Sequence, residues 1–564
     1  MRLTLALALA LFSLTAIGSE LKLMLAEHKL PAQPLNMNQL IGQPAEQLPA
    51  KKQGRLILTM PSDNTQAKLI QNNSKQLISD GRQLLPSIQI DYVINPQAEV
   101  IPKVRHLNVT DHPYWDYFVG VGKIWTSPEN KTKTYMSLPF SLVEKNENCV
   151  HNGVLVVPVK QQKTATFYYQ ISSETCAYFK ADFWGLGQVK YSQFDELDAK
   201  SIAQLYQQEK NQRLPLKPLS ALTEHYSSVN LDNLALKQSI KSKDMSVLGV
   251  VKNQMHYRSD CKTRTGNYPF CSQLVLPSYS TAKTLFAGLA MFYLAKEFKD
   301  IFEQPVNQWI NACQTPQWQG VNFGHLLNMS TGNYHSAKYG VDEGSNKKLA
   351  FFNATSHSKK LAFACQHYPR KNTPGTQFVY HTSDTYLLGA GLNAFIKSQW
   401  GEQADIFNDV IVKQIFKPLG LSAISRVSRR TQDNTAQPYS GYGLFFNADD
   451  LARLSIFVQQ QAHSANSILA NQPLRQALQL DPNNTGLGTD YGHINYQHSF
   501  WAQDMRHNLE CKKDTWVPFM SGFGGITVAL LGQDNSYYYV SDSHQYNWQP
   551  ALPELQKLQL VCAN

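Results

Sequence analysis

The spacing of apolar residues changes along the chain and divides it into two parts. Between Gly54 and Ser192, short runs rich in β-branched and aromatic residues alternate with Pro, Asn, Asp and Gly, a pattern typical of β-strands joined by turns. Gly185-Leu186-Gly187 lacks the third glycine of a nucleotide-binding loop and is predicted to be a turn. The first part is therefore predicted to be a small sheet-rich domain, with strands at 55–60, 87–94, 117–125, 153–159 and 164–171.

The boundary between the two parts is predicted at a pair of prolines. A polar segment at 195–213 carries apolar residues at helical spacing and runs into Leu214-Pro215-Leu216-Lys217-Pro218. Two prolines so close together end a helix and stiffen the chain that follows. We therefore predict a β-rich N-terminal domain over residues 19–215, whose role the sequence leaves open, and a second domain over residues 216–564.

The most apolar helix predicted in the chain follows a short strand at 274–276. Leu285, Phe286, Leu289, Phe292 and Tyr293 form one apolar stripe, and alanines fill the other sides, which indicates a helix buried in the middle of a domain. Ser280 and Lys283 lie at its start. Residues three apart on a helix share a face, so the Lys283 amine can take the proton of the Ser280 hydroxyl and make Ser280 a nucleophile.

Ser259, Ser345 and Ser356 also precede a lysine by the same spacing, so spacing alone does not identify the nucleophile. All three pairs lie in polar segments or in a loop between two cysteines, where the lysine would be solvated, keep its ordinary pKa and be a poor base. The pairs are Ser259 with Lys262, Ser345 with Lys348, and Ser356 with Lys359. The buried helix favours Ser280.

Composition narrows the class of protein. With 43% hydrophobic residues, 27 Tyr and 26 Phe, the chain is that of a folded protein. The net charge is +10, but Lys and Arg are scattered, so we predict no nucleic-acid partner. Residues 1–18 have the charged start, apolar middle and small-residue end of a secretory signal, and no later apolar run is long enough to span a bilayer. We expect a periplasmic or secreted protein without stable membrane insertion.

The eight cysteines are predicted to form disulfides, since an even number in an exported protein is typical of a disulfide framework. Pairing neighbours gives four loops, one of about 105 possible connectivities. No Cys-x-x-Cys spacing occurs, and His106, Asp111 and His112 beside Pro113 favour a turn, so we predict no metal and no cofactor. The cysteines are Cys149, Cys176, Cys261, Cys271, Cys313, Cys365, Cys511 and Cys562.

From about residue 247 onward, the chain resembles the serine β-lactamase and penicillin-binding superfamily, in the branch of class C β-lactamases, esterases and 6-aminohexanoate-oligomer hydrolases. Besides Ser280-x-x-Lys283, five blocks follow in the order of that family: 325–332, 378–389, 416–421, 441–454 and 521–525. The resemblance implies an α/β (α+β) fold, with an antiparallel sheet and helices, preceded here by the smaller β-rich domain.

The resemblance also implies roles for individual residues. Ser280 would form an acyl-enzyme, Lys283 would act as its base, and Tyr380 would pass the proton to the leaving group. Thr382 stands where β-lactamases have Asn, and Gly522-Phe523-Gly524 stands where the family has a cation that grips a substrate carboxylate. These departures favour a small-molecule ester or small amide as substrate, and the glycines favour a backbone amide in an oxyanion hole.

Other functions stay open at this point. Penicillin-binding, DD-peptidase or β-lactamase activity is one alternative, and an inactive binding module with the same fold is another. A Ser-His-Asp hydrolase using Asp542 and His544 lacks a Gly-x-Ser-x-Gly elbow. Tyr334 and Tyr339 begin a loop, 334–351, that is long enough to cover a site. The sequence does not reveal the oligomeric state.

Overall fold

Two β-sheets of different construction carry most of the regular structure. In the computed structural model the described residues are 25, 27–45, 47–49, 51–73, 84–127, 130–159, 163–192, 194, 198–505, 509, 511 and 515–562. The predicted signal segment, 1–18, lies outside the described residues.

The first sheet is formed by the N-terminal part of the chain and contains eleven described strands. In chain order they are Gln43–Pro44 (β1), Gln53–Thr59 (β2), Thr65–Asn72 (β3), Ile88–Ile94 (β4), Glu99–Pro102 (β5), Trp115–Val119 (β6), Gly122–Ser127 (β7), Asn130–Glu144 (β8), Val150–Pro158 (β9), Thr164–Thr175 (β10) and Phe179–Ser192 (β11).

Eight of these strands pair antiparallel in an order that closes on itself, because the last strand pairs with the first. They follow one another as β7, β5, β4, β2, β11, β10, β9 and β8, and β8 pairs back with β7. Apolar side chains such as Leu58, Ile90, Leu138, Phe167 and Val189 pack into one buried cluster. Because side chains alternate between the two faces of a strand, the remaining apolar positions, among them Val154 and Tyr168, pack instead against the second part of the chain.

Two details of this sheet differ from the sequence prediction. The predicted strand at 117–125 is two strands, β6 and β7, separated at Gly120 and Val121. The predicted turn at Gly185-Leu186-Gly187 is wrong, since these residues lie inside β11. The glycines pair with Tyr169 and Phe167 of β10, and a Cβ at Gly187 would approach the Phe167 ring to 2.4 Å. Glycine is used here to make room for aromatic rings from the neighbouring strand.

The second sheet contains nine described strands and carries the C-terminal part of the chain. It has the order β12, β14, β13, β24, β23, β22, β21, β20, β19 and is antiparallel except for the β12–β14 pair. Its strands are Leu216–Pro218 (β12), Met245–Lys252 (β13), Met255–Arg258 (β14), Leu487–Gly488 (β19), Ile494–Gln497 (β20), Phe500–Asp504 (β21), Trp516–Gly522 (β22), Ile526–Leu530 (β23) and Ser536–Ser541 (β24). Lys262–Thr263 (β15) with Gly266–Asn267 (β16), and Leu276–Pro277 (β17) with Phe445–Phe446 (β18), form two small ladders.

Most helices pack with the second sheet, whereas the helix Ala199–Asn211 packs against β4 and β5 of the first sheet. The α-helices are Ala199–Asn211, Leu222–His225, Leu231–Leu234, Leu289–Glu297, Val306–Trp309, Phe323–Leu327, Val341–Gly344, Leu349–Asn353, His357–Gln366, Thr382–Trp400, Ala448–His463, Asn471–Ala477 and Leu552–Lys557, and π-helices cover Lys283–Gly288 and Ile406–Phe416. The predicted apolar stripe of this central helix is buried at Leu285, Phe286, Leu289 and Phe292 and partly buried at Tyr293.

Four disulfides join the cysteines that are neighbours in sequence. The pairs are Cys149–Cys176, Cys261–Cys271, Cys313–Cys365 and Cys511–Cys562, so the predicted nearest-neighbour pairing is confirmed. Disulfides at this density are typical of proteins that fold in an oxidising compartment. Among the described residues, no helix combines the length and the apolar character needed to cross a bilayer.

Candidate active site

Ser280 lies in a tight turn between a short strand and the central helix. β17 pairs with β18 and delivers the chain into the 3-10 turn Tyr279–Thr281, which leads directly into the helical residues from Lys283 onward. Tyr279 has a φ of +40°, a left-handed conformation that costs free energy for a residue with a side chain. Ser280 is half-buried, while Thr281 and Ala282 are buried.

The Lys283 amine is enclosed and has three hydrogen-bond partners. Nζ lies 3.3 Å from Ser280 Oγ, 2.9 Å from Thr382 Oγ1 and 3.1 Å from the Gly441 carbonyl oxygen. The side chain is 2% exposed. Burial lowers the pKa of Lys283 to about 8, against the opposing effect of the Glu343 and Asp384 carboxylates. A substantial fraction of the amine is therefore neutral near pH 8, as a general base requires.

Tyr380 borders both of these groups. The nearby Ser280 side chain acts to lower the pKa of its phenol, and its ring centroid is 5.1 Å from Lys283 Nζ. The ring stacks on Trp501 at 5.7 Å with an interplanar angle of 20°, which fixes its orientation. Burial raises the pKa of the Tyr380 phenol well above 10, and Glu343 adds to this increase. Tyr380 therefore keeps its proton at neutral pH and is suited to donate it.

Thr382 connects the lysine to a carboxylate that sequence analysis missed. Thr382 Oγ1 accepts from Lys283 and donates to Glu343 Oε1 at 2.6 Å, and the Thr382 backbone N–H donates to Glu343 Oε2 at 3.1 Å. That N–H belongs to the first turn of the helix Thr382–Trp400, where a carboxylate is favourable. Glu343 lies in the short helix Val341–Gly344, within the predicted loop 334–351, for which sequence analysis suggested only the tyrosines as site residues.

His381, between Tyr380 and Thr382, anchors the same loop. Its Nε2 is 3.1 Å from Asp342, and its Nδ1 is 3.6 Å from Asp384. Although burial opposes protonation, these two carboxylates raise the pKa of His381 to about 9. Asp342 also accepts the backbone N–H groups of His335 and Ser336. The protonated imidazole therefore fastens the loop next to Glu343 onto the segment that carries Tyr380.

The predicted third motif forms the hairpin between β22 and β23. Gly522 lies against residues 278–281, which carry the predicted nucleophile Ser280 and are called the nucleophile turn below, since a Cβ there would be 2.9 Å from the Ser278 carbonyl oxygen. The Phe523 ring is 37% exposed and lies 5.4 Å from the Tyr279 ring in an edge-on contact. Gly524 lies further along the turn, and its N–H donates to the Tyr546 hydroxyl at 3.3 Å. The close approach to Ser278 explains why glycine occupies position 522.

Aromatic side chains extend outward from Tyr380 and Tyr279, and all of those grouped here except the buried Trp501 are partly exposed. Tyr339 is 44% exposed, stacks on Tyr491 at 5.2 Å and contacts Trp501 edge-on at 6.0 Å. Trp501 in turn stacks on Tyr380. Tyr339, Tyr491, Trp501, Phe523 and Tyr546 are called the aromatic rim below. Tyr334 is placed by a backbone hydrogen bond to Pro369 and is not assigned to this rim.

The competing serines have structural roles. Ser259 Oγ accepts from the Leu248 N–H, Ser345 caps a 3-10 turn, and Ser356 caps the helix His357–Gln366. Each serves the hydrogen-bonding needs of its local backbone. Lys262 is well exposed and bonds to Asn267 instead of a serine.

The other candidate groups are also occupied. Asp542 accepts the Cys176 N–H and pairs with Lys180, and His544 contacts the Ala177 carbonyl oxygen. His112 Nδ1 accepts two backbone N–H groups, as expected of a turn residue. Among the described residues, one group has ligand atoms close enough to share an ion, namely Cys149, His151 and Cys176. Two of its three members are joined in a disulfide and so cannot act as thiolate ligands.

A half-buried serine, a buried lysine and a tyrosine come together between an antiparallel sheet and a helical layer, an arrangement typical of serine hydrolase-type proteins. The family model for beta-lactamase matches residues 235–548 of the 564-residue chain, and the chain belongs to this family.

Similarity to individual proteins is low. No curated protein matches the chain significantly. Among solved structures, a Bacillus anthracis protein assigned as a 6-aminohexanoate-dimer hydrolase has a TM-score of 0.43 at 15% identity, over 57% of this chain and 80% of its own. A Bacteroides dorei protein assigned as a beta-lactamase has a TM-score of 0.41 at 13% identity, over 60% of this chain and all of its own length.

Proposed function

We propose that the protein is a periplasmic or secreted serine hydrolase that cleaves a carboxylic ester or a small amide through an acyl-enzyme on Ser280. The direction of the hydrogen bonds around Lys283 carries the proposal. The Gly441 carbonyl oxygen can only accept, and the Thr382 hydroxyl has committed its hydrogen to Glu343, so it accepts as well. A neutral amine has two N–H groups for these acceptors, and its lone pair is left facing Ser280 Oγ.

The acylation step follows from this arrangement. Ser280 Oγ attacks the carbonyl carbon while Lys283 takes the hydroxyl proton, which gives a tetrahedral intermediate and an ammonium group. The Tyr380 phenol donates its proton to the leaving oxygen or nitrogen and regains one from the Lys283 ammonium. The bond to the leaving group breaks, and the acyl group remains on Ser280. Lys283 is neutral again at the end of the step.

Deacylation uses the same groups in reverse. A water molecule attacks the acyl carbon and delivers its proton through Tyr380 to Lys283. The tetrahedral intermediate collapses, the acid leaves, and Ser280 Oγ takes the proton from the Lys283 ammonium, which restores the neutral amine. No further cofactor is needed for this scheme, since all proton transfers take place between side chains of the chain itself.

The surroundings of the site support an apolar acyl group. The segment Ser521–Gly525 has no cationic side chain to bind a substrate carboxylate, and the aromatic rim offers partly exposed rings around the nucleophile turn. Partly exposed aromatic surface next to a reactive group favours an apolar or aromatic ligand. A penicillin or peptide carboxylate would find no ion pair at the third motif.

The test is covalent labelling together with turnover. The wild-type protein is incubated with a fluorophosphonate and with nitrophenyl esters of increasing acyl length, and Ser280→Ala and Ser356→Ala are compared with it. We expect wild type and Ser356→Ala to be labelled and active and Ser280→Ala to be neither. Absence of labelling and turnover in wild type would support the inactive binding module instead. Stable acylation by penicillin with no ester turnover would support a penicillin-binding protein.

A further inference from the structure

We infer that the N-terminal sheet is part of the catalytic unit, and that Asn148, in the turn between β8 and β9, is a positioning residue for Ser280. This inference rests on the proposed function. The Asn148 side chain is fully buried, and its four side-chain hydrogen bonds reach across to the second part of the chain. Oδ1 accepts from Tyr279 N–H at 2.7 Å, from Gly443 N–H at 2.9 Å and from Ser278 Oγ at 3.1 Å. Nδ2 donates to the Leu444 carbonyl oxygen at 3.1 Å.

These four bonds hold two segments in a fixed relative position, namely the nucleophile turn and the segment around Gly443. The proposed reaction depends on that relative position. Tyr279 immediately precedes Ser280 and has the left-handed φ of +40°. Its N–H therefore does not take part in a regular helix, and the hydrogen bond to Asn148 fixes its direction. Gly443 is two residues from Gly441, whose carbonyl oxygen binds Lys283. The Asn148 side chain therefore fixes the position of Ser280 relative to the Gly441 carbonyl oxygen, which orients Lys283.

The N-terminal sheet also contacts the nucleophile turn and the aromatic rim at a second place, near the turn between β10 and β11. The Tyr279 hydroxyl donates to the Thr175 carbonyl oxygen at 3.2 Å, and the Tyr178 ring lies 6.4 Å from the Phe523 ring of the aromatic rim. The Cys149–Cys176 disulfide joins the residue after Asn148 to the residue after Thr175. Both contacts with the nucleophile turn thus come from one cross-linked corner.

The buried side chain of Arg429 fixes this corner to the second part of the chain through an ion pair and two hydrogen bonds. Arg429 pairs with Asp116 of β6 and donates to the carbonyl oxygens of Glu144 and Glu147. Its own backbone N–H donates to the Gly443 carbonyl oxygen at 2.7 Å. Breaking a buried ion pair leaves an uncompensated charge and is costly. The contact between the N-terminal sheet and the second part of the chain is therefore permanent. Through it, the N-terminal sheet helps to position the catalytic residues.

The test compares two buried asparagines of the N-terminal sheet in the full-length protein. Asn152 is also buried and forms two hydrogen bonds to the second part of the chain, but both go to the Val275 backbone, upstream of the nucleophile turn. Asn148→Ala and Asn152→Ala should therefore lower the melting temperature to a similar extent. A misplacement of the nucleophile by about 1 Å can cost on the order of 100-fold in rate.

We expect the rate of Ser280 labelling by a fluorophosphonate to fall roughly 100-fold in Asn148→Ala and to stay within about threefold of wild type in Asn152→Ala. Asn148→Asp keeps the oxygen that accepts three of the four bonds and should recover most of the labelling rate. Equal labelling rates in the two alanine variants, or no recovery in Asn148→Asp, would overturn the inference. Failure of the proposed function would be seen separately, as absence of labelling in wild type.

Discussion

Glu343 accepts the hydrogen of the Thr382 hydroxyl at 2.6 Å and thereby decides how Thr382 can bond to Lys283. With its hydrogen committed, the hydroxyl presents only lone pairs to the amine 2.9 Å away. An asparagine amide at position 382 could present either a donor or an acceptor, whereas a threonine needs a partner to define its direction. Glu343 supplies that definition and is bound in turn to the first turn of the helix Thr382–Trp400.

The first prediction concerns this orientation. In Glu343→Gln the new amide can donate to Thr382 Oγ1, which frees the Thr382 hydrogen to donate to the Lys283 lone pair. The lone pair would then compete less well for the Ser280 proton, and we expect acylation to slow by about 10- to 100-fold. Single-turnover labelling measures this change. Glu402→Gln removes a charge from an exposed turn and should have no effect, and an unchanged rate in Glu343→Gln would contradict the role given to Glu343.

The second prediction is the pH dependence of acylation. The reactive form of Lys283 is the neutral amine, and its pKa is lowered to about 8. The rate of acylation by an uncharged ester should therefore rise about tenfold per pH unit below pH 8 and level off above it. Burst-phase kinetics from pH 6 to 9 give this profile. Lys283→Ala should lose the rising limb together with roughly 100- to 10,000-fold in rate; a flat wild-type profile would exclude Lys283 as the base.

The helices and strands that the sequence predicted are those that depend on the local spacing of apolar residues. The buried helix after Ser280 and the strands β2, β4, β9 and β10 of the first sheet follow from apolar spacing, and Tyr380 and Thr382 follow from an ordered block. Glu343 is 39 residues from Thr382, and Asn148 is 131 residues from Tyr279. No periodic pattern connects residues so far apart, so their contacts become visible only in the fold. The glycines of β11 were misassigned for the same reason, because the rings that require them belong to another strand.

The third prediction concerns the anchoring of the loop by His381. The pKa of His381 in the folded state is raised to about 9, above its ordinary 6.5. The protonated imidazole therefore stabilises the fold fully below pH 6.5, and this stabilisation is lost as the pH rises through 9. A shift of this size corresponds to at most about 3 kcal/mol. In His381→Gln the loss of unfolding free energy, measured by urea denaturation, should be larger at pH 6 than at pH 10. An equal loss at both pH values would show that His381 is neutral.

The fourth prediction concerns the aromatic rim and the choice of acyl group. Phe523 packs edge-on against Tyr279, next to the nucleophile, and is 37% exposed, so an apolar acyl chain can cover its free face. Removing this ring should cost about 1–2 kcal/mol of binding for an aromatic or long-chain acyl group and little for an acetyl group. We therefore expect Phe523→Ala to raise the KM for a nitrophenyl benzoate or octanoate about tenfold and to leave kcat and the KM for nitrophenyl acetate nearly unchanged. Val109→Ala, at a position that is 78% exposed in the N-terminal sheet region, is the matched control for loss of surface apolar area. If Phe523→Ala affected the acetate and the octanoate equally, the ring would be supporting the nucleophile turn through Tyr279 and would not be selecting the substrate.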